Sequence, residues 1–192
     1  MSQSSYFKSS GFLKDSIIVN DLGTELDLKK LSSFLRTLLV TDGTVTKSLE
    51  AWFWEKVKIE PLTNQLETLE EQVLGLEAEY GDKVLQREVI LKGVESDTIF
   101  ATARSTVSLK HLPKDISLAL EKGEIGIGEL LREKDVETYR DIFNINHFSD
   151  SSTNDSLLSL LESEVLSRSY RIRVNGHPAI IVSEFFPVNI YK

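Results

Sequence analysis

The chain has 192 residues, of which 41% are hydrophobic and 27% charged, and it contains no cysteine; disulfides, thiolate metal sites and a cysteine nucleophile are therefore excluded. A net charge of −8, from 30 acidic and 22 basic side chains, argues against nucleic acid as a partner, because such binding depends on cationic contacts with phosphate. No apolar run approaches the roughly 20 residues of a membrane helix, and the polar N-terminus has no signal-peptide core, so we expect a cytoplasmic protein without a membrane span.

This length suits one domain, residues 1–192, that begins with a flexible, Ser-rich segment at residues 1–20. The helical period of apolar residues predicts an amphipathic helix from Glu25 to Leu39. A turn at residues 41–44 follows, and a second helix carries Val45 and Leu49 on one side. The aromatic cluster at residues 52–54 is expected to pack in the core.

Alternation of apolar and polar residues predicts most of the strands. They run from Val57 to near Pro61, from Val84 to Lys92, from Thr98 to Val107 and from Thr138 to Phe148. The acidic stretch from Leu66 to Tyr80 predicts a loop with some helix. A mostly helical insertion spans Leu109 to Lys134, with an interruption at Gly123 to Gly128, and a short helix is expected from Leu157 to Glu164.

A C-terminal β-hairpin is the clearest element, because two β-rich runs flank Asn175-Gly176. A three-residue loop would place Tyr170 and Ile172 beside Ile180 and Val182, whereas a two-residue loop would place arginines there. The apolar pairing is the more favourable, so we predict the three-residue loop. Strands joined by local turns, without repeated βαβ units, indicate an α+β fold on an antiparallel sheet.

Three charged residues interrupt apolar strand faces. Arg87 shares a face with aliphatic residues of its strand, Glu184 lies in register with Ile180 and Val182, and Arg168 alternates with Tyr170. An unpaired buried charge costs several kcal/mol, so these residues either form an ion pair or contact a ligand. Both alternatives remain open: Glu184 paired with Arg87 or Arg168 across the sheet, or a ligand-binding set.

Other candidate motifs carry less information. His111, His147 and His177 are far apart and lack metal-ligand spacing, so we expect surface or loop histidines and no metal site. The Gly-rich stretch 123–128 follows a helical pattern, which is the wrong context for a dinucleotide or phosphate loop. No Gly-x-Ser-x-Gly elbow is present.

Several segments, in order, resemble chorismate lyases, including a branch found in archaea, actinobacteria and cyanobacteria. They are Leu-Leu-Val-Thr-Asp-Gly-Thr-Val-Thr-Lys at 38–47, Gln-Arg-Glu-Val at 86–89, Ala-Arg-Ser-Thr-Val at 103–107, Gly-Ile-Gly-Glu-Leu-Leu at 126–131, Ser-Arg-Ser at 167–169, Gly-His-Pro at 176–178 and Ser-Glu-Phe-Phe-Pro at 183–187. The resemblance implies a single antiparallel sheet with helices packed on one side.

The resemblance also implies site residues and an activity. Arg87 corresponds to the arginine that holds the ring carboxylate, and Glu184 to the carboxylate that hydrogen-bonds the ring hydroxyl, so these two are the expected catalytic residues. Val45 and Ile127 correspond to main-chain contacts with the ligand. Arg104 and Arg168 are further expected substrate-binding residues. The substrate would be chorismate and the products 4-hydroxybenzoate and pyruvate, formed without cofactor or metal, for quinone biosynthesis.

The alternative is a non-catalytic sensor. Effector-binding domains of a family of bacterial transcription regulators share this fold and have similar Arg-Glu-Val and Ala-Arg-Ser strands, but they only bind small molecules. They usually follow a winged helix-turn-helix domain, and the residues before Leu38 are too few to form one.

Overall fold

A computed structural model describes residues 16–20, 22–123, 125–148 and 155–192. Its strands are β1 (Ile17–Val19), β2 (Glu25–Asp27), β3 (Val57–Thr68), β4 (Lys83–Gly93), β5 (Ile99–Ser108), β6 (Thr138–Phe148), β7 (Val165–Val174) and β8 (His177–Pro187). Its helices are α1 (Ser33–Val40), α2 (Val45–Phe53), α3 (Lys114–Lys122), α4 (Ile127–Glu133) and α5 (Ser156–Ser159). The flexible segment predicted at residues 1–20 falls mostly on residues 1–15, outside the described part, and β1 occupies most of the rest.

One six-stranded antiparallel sheet organises the fold, in the order β3-β4-β5-β8-β7-β6, and β1 and β2 form a separate two-stranded sheet. Helices α1 to α4 pack on one face, while the short α5 covers part of the other together with Phe185. The predicted α+β class and antiparallel sheet are therefore confirmed. Among the described residues, no helix has the length and apolar composition needed to span a bilayer.

The first predicted helix was too long at its N-terminal end. Residues Glu25–Asp27 pair with β1 instead, and the side chain of Asp27 caps a short 3-10 turn at Leu28–Lys30. Helix α1 begins only after Ser32, whose hydroxyl accepts a hydrogen bond from the Leu35 N–H at 3.3 Å. Two local capping side chains thus divide what the apolar periodicity presents as one helix.

The loop and the aromatic cluster also differ from expectation. Strand β3 continues past Pro61 through a bulge, and no helix forms within residues 66–80. Trp54 ends α2 in the left-handed conformation with 89% of its surface exposed, and Trp52 is 47% exposed against Phe34. Only Phe53 of the cluster packs inward, on Phe100. Three consecutive aromatics cannot share one helix face, because successive residues point about 100° apart.

The C-terminal hairpin has the predicted pairing and a different turn. Tyr170 lies opposite Val182, and Ile172 opposite Ile180, as the apolar match requires. The turn nevertheless has two residues, Asn175 and Gly176, both with positive φ, as a type I′ turn needs. A bulge beside Pro178 supplies the extra residue that restores the apolar register, at a position where proline has no N–H to give to the ladder.

Candidate active site

A cavity lies on the helix-covered face, between two hydrophobic clusters. One cluster joins α1 and α2 to the sheet, and the other joins α3 and α4 to it. The space free of protein atoms, including open solvent at its mouth, amounts to about 640 Å³. Its lining includes residues 43–46 and 126–129 and the strand residues Ile59, Arg87, Val89, Leu91, Ala103, Ser105, Arg140, Tyr170, Ile172, Val182 and Glu184.

Two adjacent rows of side chains across the sheet form the floor. In one row the pairing runs from Arg87 through Ser105 and Val182 to Tyr170. In the next row it runs from Val89 through Ala103 and Glu184 to Arg168. Alternation along β4 and β8 therefore brings Arg87 and Glu184 to one surface, as the sequence pattern predicts.

Arg87 is a buried cation, only 3% exposed. Its Nε donates to Asn64 Oδ1 at 3.1 Å and its Nη2 to the Ile125 carbonyl at 2.9 Å, and it forms no ion pair with the carboxylates of the described residues. Burial lowers the pKa of Arg87, although an arginine stays charged at neutral pH. Because burial disfavours its charge, Arg87 is suited to bind an anion in the cavity.

Asn64 positions the Arg87 fork. Its side-chain amide donates to the carbonyls of Leu120 at 3.3 Å and Glu121 at 2.6 Å, at the C-terminal end of α3. Helix α3 ends at Gly123, which has a φ of 76°. A Cβ there would lie 3.1 Å from the Asn64 amide nitrogen, so glycine permits this approach. The position of the Arg87 guanidinium therefore depends on β3, which carries Asn64, and on α3, to which Asn64 is bonded.

Glu184 is 7% exposed and lies at the centre of a buried polar cluster. Its Oε2 accepts from Arg168 Nε at 2.7 Å, and its Oε1 accepts from the Tyr170 hydroxyl at 3.0 Å. The ion pair expected as one of two alternatives is therefore formed with Arg168 and not with Arg87. Glu184 also lines the cavity, so the pair and the ligand-facing position coexist.

Arg168 supports Glu184 from behind. It is fully buried and does not line the cavity; its Nη1 donates to the Thr41 carbonyl at 2.6 Å, and its guanidinium lies over the Tyr170 ring. Burial and the neighbouring Glu184 raise the pKa of Tyr170, which keeps its hydroxyl protonated as a donor. The structure thus separates Arg168, predicted to bind substrate, from the cavity by one side chain.

Val45 and Ile127 line the cavity wall. Each is the first residue of its helix, α2 or α4. Thr44 and Gly126 precede them, and neither helix has a side-chain cap. Instead, the Thr44 hydroxyl accepts a hydrogen bond from Arg132. The first N–H groups of α2 consequently remain available to an anion.

Arg104 does not reach the cavity. It pairs across the sheet with Glu88 and Ser183, which belong to the opposite face. There its guanidinium bonds Glu88 at 2.7 Å and Asp155 at 3.1 Å. Its neighbours Ala103 and Ser105 line the cavity in its place, because alternate residues of β5 point to opposite faces. Arg104 therefore lies on the opposite face of the sheet from the other residues expected to bind substrate.

The sequence did not indicate two features of the cavity. One is Arg140 in its lining, and the other is the hydrogen bond from the Tyr170 hydroxyl to Glu184. Alternation places Arg140 on the same face as Ile142, which gave a weak signal for an inward charge. Tyr170 was treated only as an apolar partner in the hairpin.

His111 and His177 are closer than their separation in the sequence suggests. Their rings stack at 4.8 Å, and Glu77 lies 2.9 Å from His177 and 3.6 Å from His111, outside the cavity. The rings are nearly parallel, at 8°, so their in-plane lone pairs do not meet at one point, as ligands of a shared ion must. His147 is buried and bonds the Thr24 carbonyl, contrary to the expected surface position.

Two similar proteins are named chorismate pyruvate-lyase. The protein from Mycobacterium leprae (strain TN) is 28% identical over 172 residues, which cover 86% of this chain and 80% of the relative. The protein from Mycobacterium tuberculosis (strain ATCC 25618 / H37Rv) is 25% identical over 174 residues, which cover 88% and 87%.

Solved structures share the fold at lower identity. The effector domain of PhnF from Mycobacterium smegmatis superposes with a TM-score of 0.59 at 14% identity, covering 78% of this chain and 91% of that one. The effector-binding domain of the Bacillus subtilis trehalose repressor gives 0.51 at 15% identity, covering 70% and 93%. Residues 39–192, most of the chain, match the model of a family described as chorismate pyruvate-lyase Rv2949c-like. The chain therefore belongs to the Rv2949c-like chorismate pyruvate-lyase family.

Proposed function

We propose that the cavity binds chorismate and eliminates pyruvate from it to release 4-hydroxybenzoate, without cofactor. The observation that carries this proposal is the buried Arg87, which faces the cavity together with Glu184 and has no carboxylate partner among the described residues. Family membership and two relatives named chorismate pyruvate-lyase support the same substrate.

The substrate's functional groups fit these side chains. Chorismate has a ring carboxylate, a ring hydroxyl and an enolpyruvyl ether that carries a second carboxylate. Arg87 accepts the ring carboxylate, because a planar guanidinium donates to both oxygens of a carboxylate. Glu184 accepts the hydrogen bond of the ring hydroxyl. The apolar residues Val89, Leu91 and Val182 contact the ring.

The reaction needs only one proton to move. The ether bond between ring carbon 3 and oxygen breaks, the hydrogen on carbon 4 leaves as a proton, and the ring becomes aromatic. The departing enolate of pyruvate gains a proton at its methylene carbon, so atoms and charge balance without a co-reactant. Aromatisation drives the reaction, and the protein contributes orientation and electrostatic stabilisation.

Glu184 has two candidate roles in this step. As a general base it receives the carbon 4 proton and returns it to the methylene carbon of the enolate. Alternatively, it only orients the ring hydroxyl, and the enolpyruvyl group takes the hydrogen within a compressed conformer. Both oxygens of Glu184 already accept a hydrogen bond, from Arg168 and Tyr170, and this favours the orienting role because the two donors hold the carboxylate in one position.

Purified protein mixed with chorismate tests the proposal. We expect 4-hydroxybenzoate and pyruvate to appear in equal amounts. The first product is measured by chromatography and the second by a coupled pyruvate assay. The variant Arg87→Met is the negative control. It should lose turnover, because product formation is expected to depend on the cavity arginine. Binding of chorismate without products would overturn the lyase and favour a sensor.

A further inference from the structure

A second cation borders the cavity on the side opposite Arg87. Arg140 lies on β6, paired with Ile172, whereas Arg87 lies on β4 near the other edge of the sheet. The Arg140 guanidinium reaches the beginning of both cavity helices. Its Nη1 donates to the Asp42 carbonyl at 2.6 Å, just before α2. A Cβ on Gly128, in α4, would lie 3.4 Å from its Nη2.

Arg140 has hydrogen-bonding capacity that the described residues do not use. Its Nε is buried and has no partner among them, and its one hydrogen bond goes to a neutral carbonyl. It forms no ion pair with a described carboxylate. The two carboxylates at the cavity do not neutralise it: Glu184 bonds Arg168 and Tyr170, and Glu129 is exposed at the mouth. A half-buried cation in this state favours an anionic ligand.

The first turn of α2 adds to the same positive region. The N–H groups that follow Thr44 have no side-chain cap, and the helix dipole places partial positive charge there. Arg140 and the first turn of α2 thus form a second positive region of the cavity, separate from Arg87, and it is called the second subsite below.

We propose that this subsite binds the enolpyruvyl carboxylate of the substrate while Arg87 binds the ring carboxylate. The inference rests on the proposed function, because it assigns the second charge of a dianionic substrate. It also accounts for selectivity. A substrate with two carboxylates engages both cations, whereas 4-hydroxybenzoate has one carboxylate and engages only Arg87, so the product leaves more readily than the substrate.

Two ligands test the assignment by calorimetry. One is 4-hydroxybenzoate, with a single carboxylate. The other is 3-[(1-carboxyethenyl)oxy]benzoate, a stable aromatic compound that carries both carboxylates in the substrate's arrangement. In Arg140→Gln we expect affinity for the dicarboxylate to fall roughly ten- to a hundredfold, the range for a lost charge-assisted hydrogen bond, and affinity for 4-hydroxybenzoate to change less than about threefold.

Two further variants control for charge and for folding. Arg173→Gln removes the same charge from the β7 residue that bonds the Gly176 carbonyl, outside the cavity, and should leave both affinities unchanged. Arg140→Lys retains the charge and should recover part of the dicarboxylate affinity, which a loss of folding would not allow.

The outcomes separate the subsite from the lyase. If Arg140→Gln lost affinity for both ligands equally, the assignment would be overturned, and Arg140 would only support the loop at Asp42. No loss of either ligand would overturn it as well. If the dicarboxylate alone is lost but the parent protein never turns over chorismate, the subsite stands and the lyase proposal fails.

Discussion

Arg168 Nε lies 2.7 Å from Oε2 of Glu184, and the arginine of this pair is entirely shielded from solvent. The pair joins β7 to β8 beneath the cavity, so the carboxylate that lines the cavity is also the counter-ion of a buried cation. Any change to Glu184 therefore affects stability and function together, and experiments on this residue must separate the two.

Arg87→Lys should weaken substrate and product binding while the fold stays intact. Lysine keeps the charge and loses the planar fork, and with it the bonds to Asn64 and the Ile125 carbonyl. We expect the affinity for 4-hydroxybenzoate, measured by calorimetry, to fall roughly ten- to a hundredfold. A lysine variant that binds as well as the parent would make Arg87 structural only.

Tyr170→Phe should lower kcat as well as the free energy of unfolding, and its loss of kcat should exceed that of the control variant Tyr191→Phe. The lost hydroxyl is one of two donors that fix Glu184, at 3.0 Å from its Oε1. A hydrogen bond to a charged group contributes about 1.5–3 kcal/mol to the free energy of unfolding. Tyr191→Phe is the matched control, because the Tyr191 hydroxyl is also buried but donates to the Phe100 carbonyl. Equal kcat loss in both variants would contradict a positioning role for Tyr170.

Alternation along the strands was the informative signal in the sequence. It predicted that Arg87, Glu184 and Arg168 point inward, and all three are buried on the cavity face of the sheet. It did not show which arginines line the cavity, since that depends on contacts across the sheet. The guanidinium of Arg168 is bonded to Glu184, whereas that of Arg140, on a distant strand, reaches the loop before α2 at the cavity wall.

Two other differences between expectation and structure have local causes. Arg104 was assigned through the resemblance, although its strand neighbours Ala103 and Ser105 occupy the cavity side. The exposure of Trp54 follows from the left-handed residue that ends α2, which no apolar pattern encodes. Local periodicity thus determined the faces of strands, while the ends of helices depended on single capping residues.

Treatment with EDTA should leave turnover unchanged. The described cavity residues include no histidine, and their carboxylates are the exposed Glu129 and Glu184, which is already paired with Arg168 and bonded by Tyr170, a poor donor set for a divalent ion. The positive charge at the cavity comes from Arg87 and Arg140. Product formation is measured after exhaustive dialysis against the chelator. A loss of activity that Mg²⁺ or Zn²⁺ restores would contradict the cofactor-free proposal.

Glu184→Gln should lower stability, and its effect on turnover should distinguish the two candidate roles of Glu184. The amide leaves the Arg168 charge without a counter-ion, which costs roughly 3–5 kcal/mol of unfolding free energy for a buried pair. If Glu184 is a general base, kcat of the folded fraction should fall by roughly 10²–10⁴-fold. If it only orients the ring hydroxyl, the amide oxygen still accepts that hydrogen bond and most of the rate should remain.

The double variant Arg168→Met, Glu184→Gln separates stability from chemistry. Replacing both members of a buried ion pair by neutral side chains of similar size is often neutral for stability, so the melting temperature should return close to that of the parent. Turnover should stay low if Glu184 is a general base, since restoring the charge balance does not restore a group that takes the proton. Recovery of both quantities in the double variant would refute the general-base role, because the amide of Gln can orient the ring hydroxyl but cannot receive the proton.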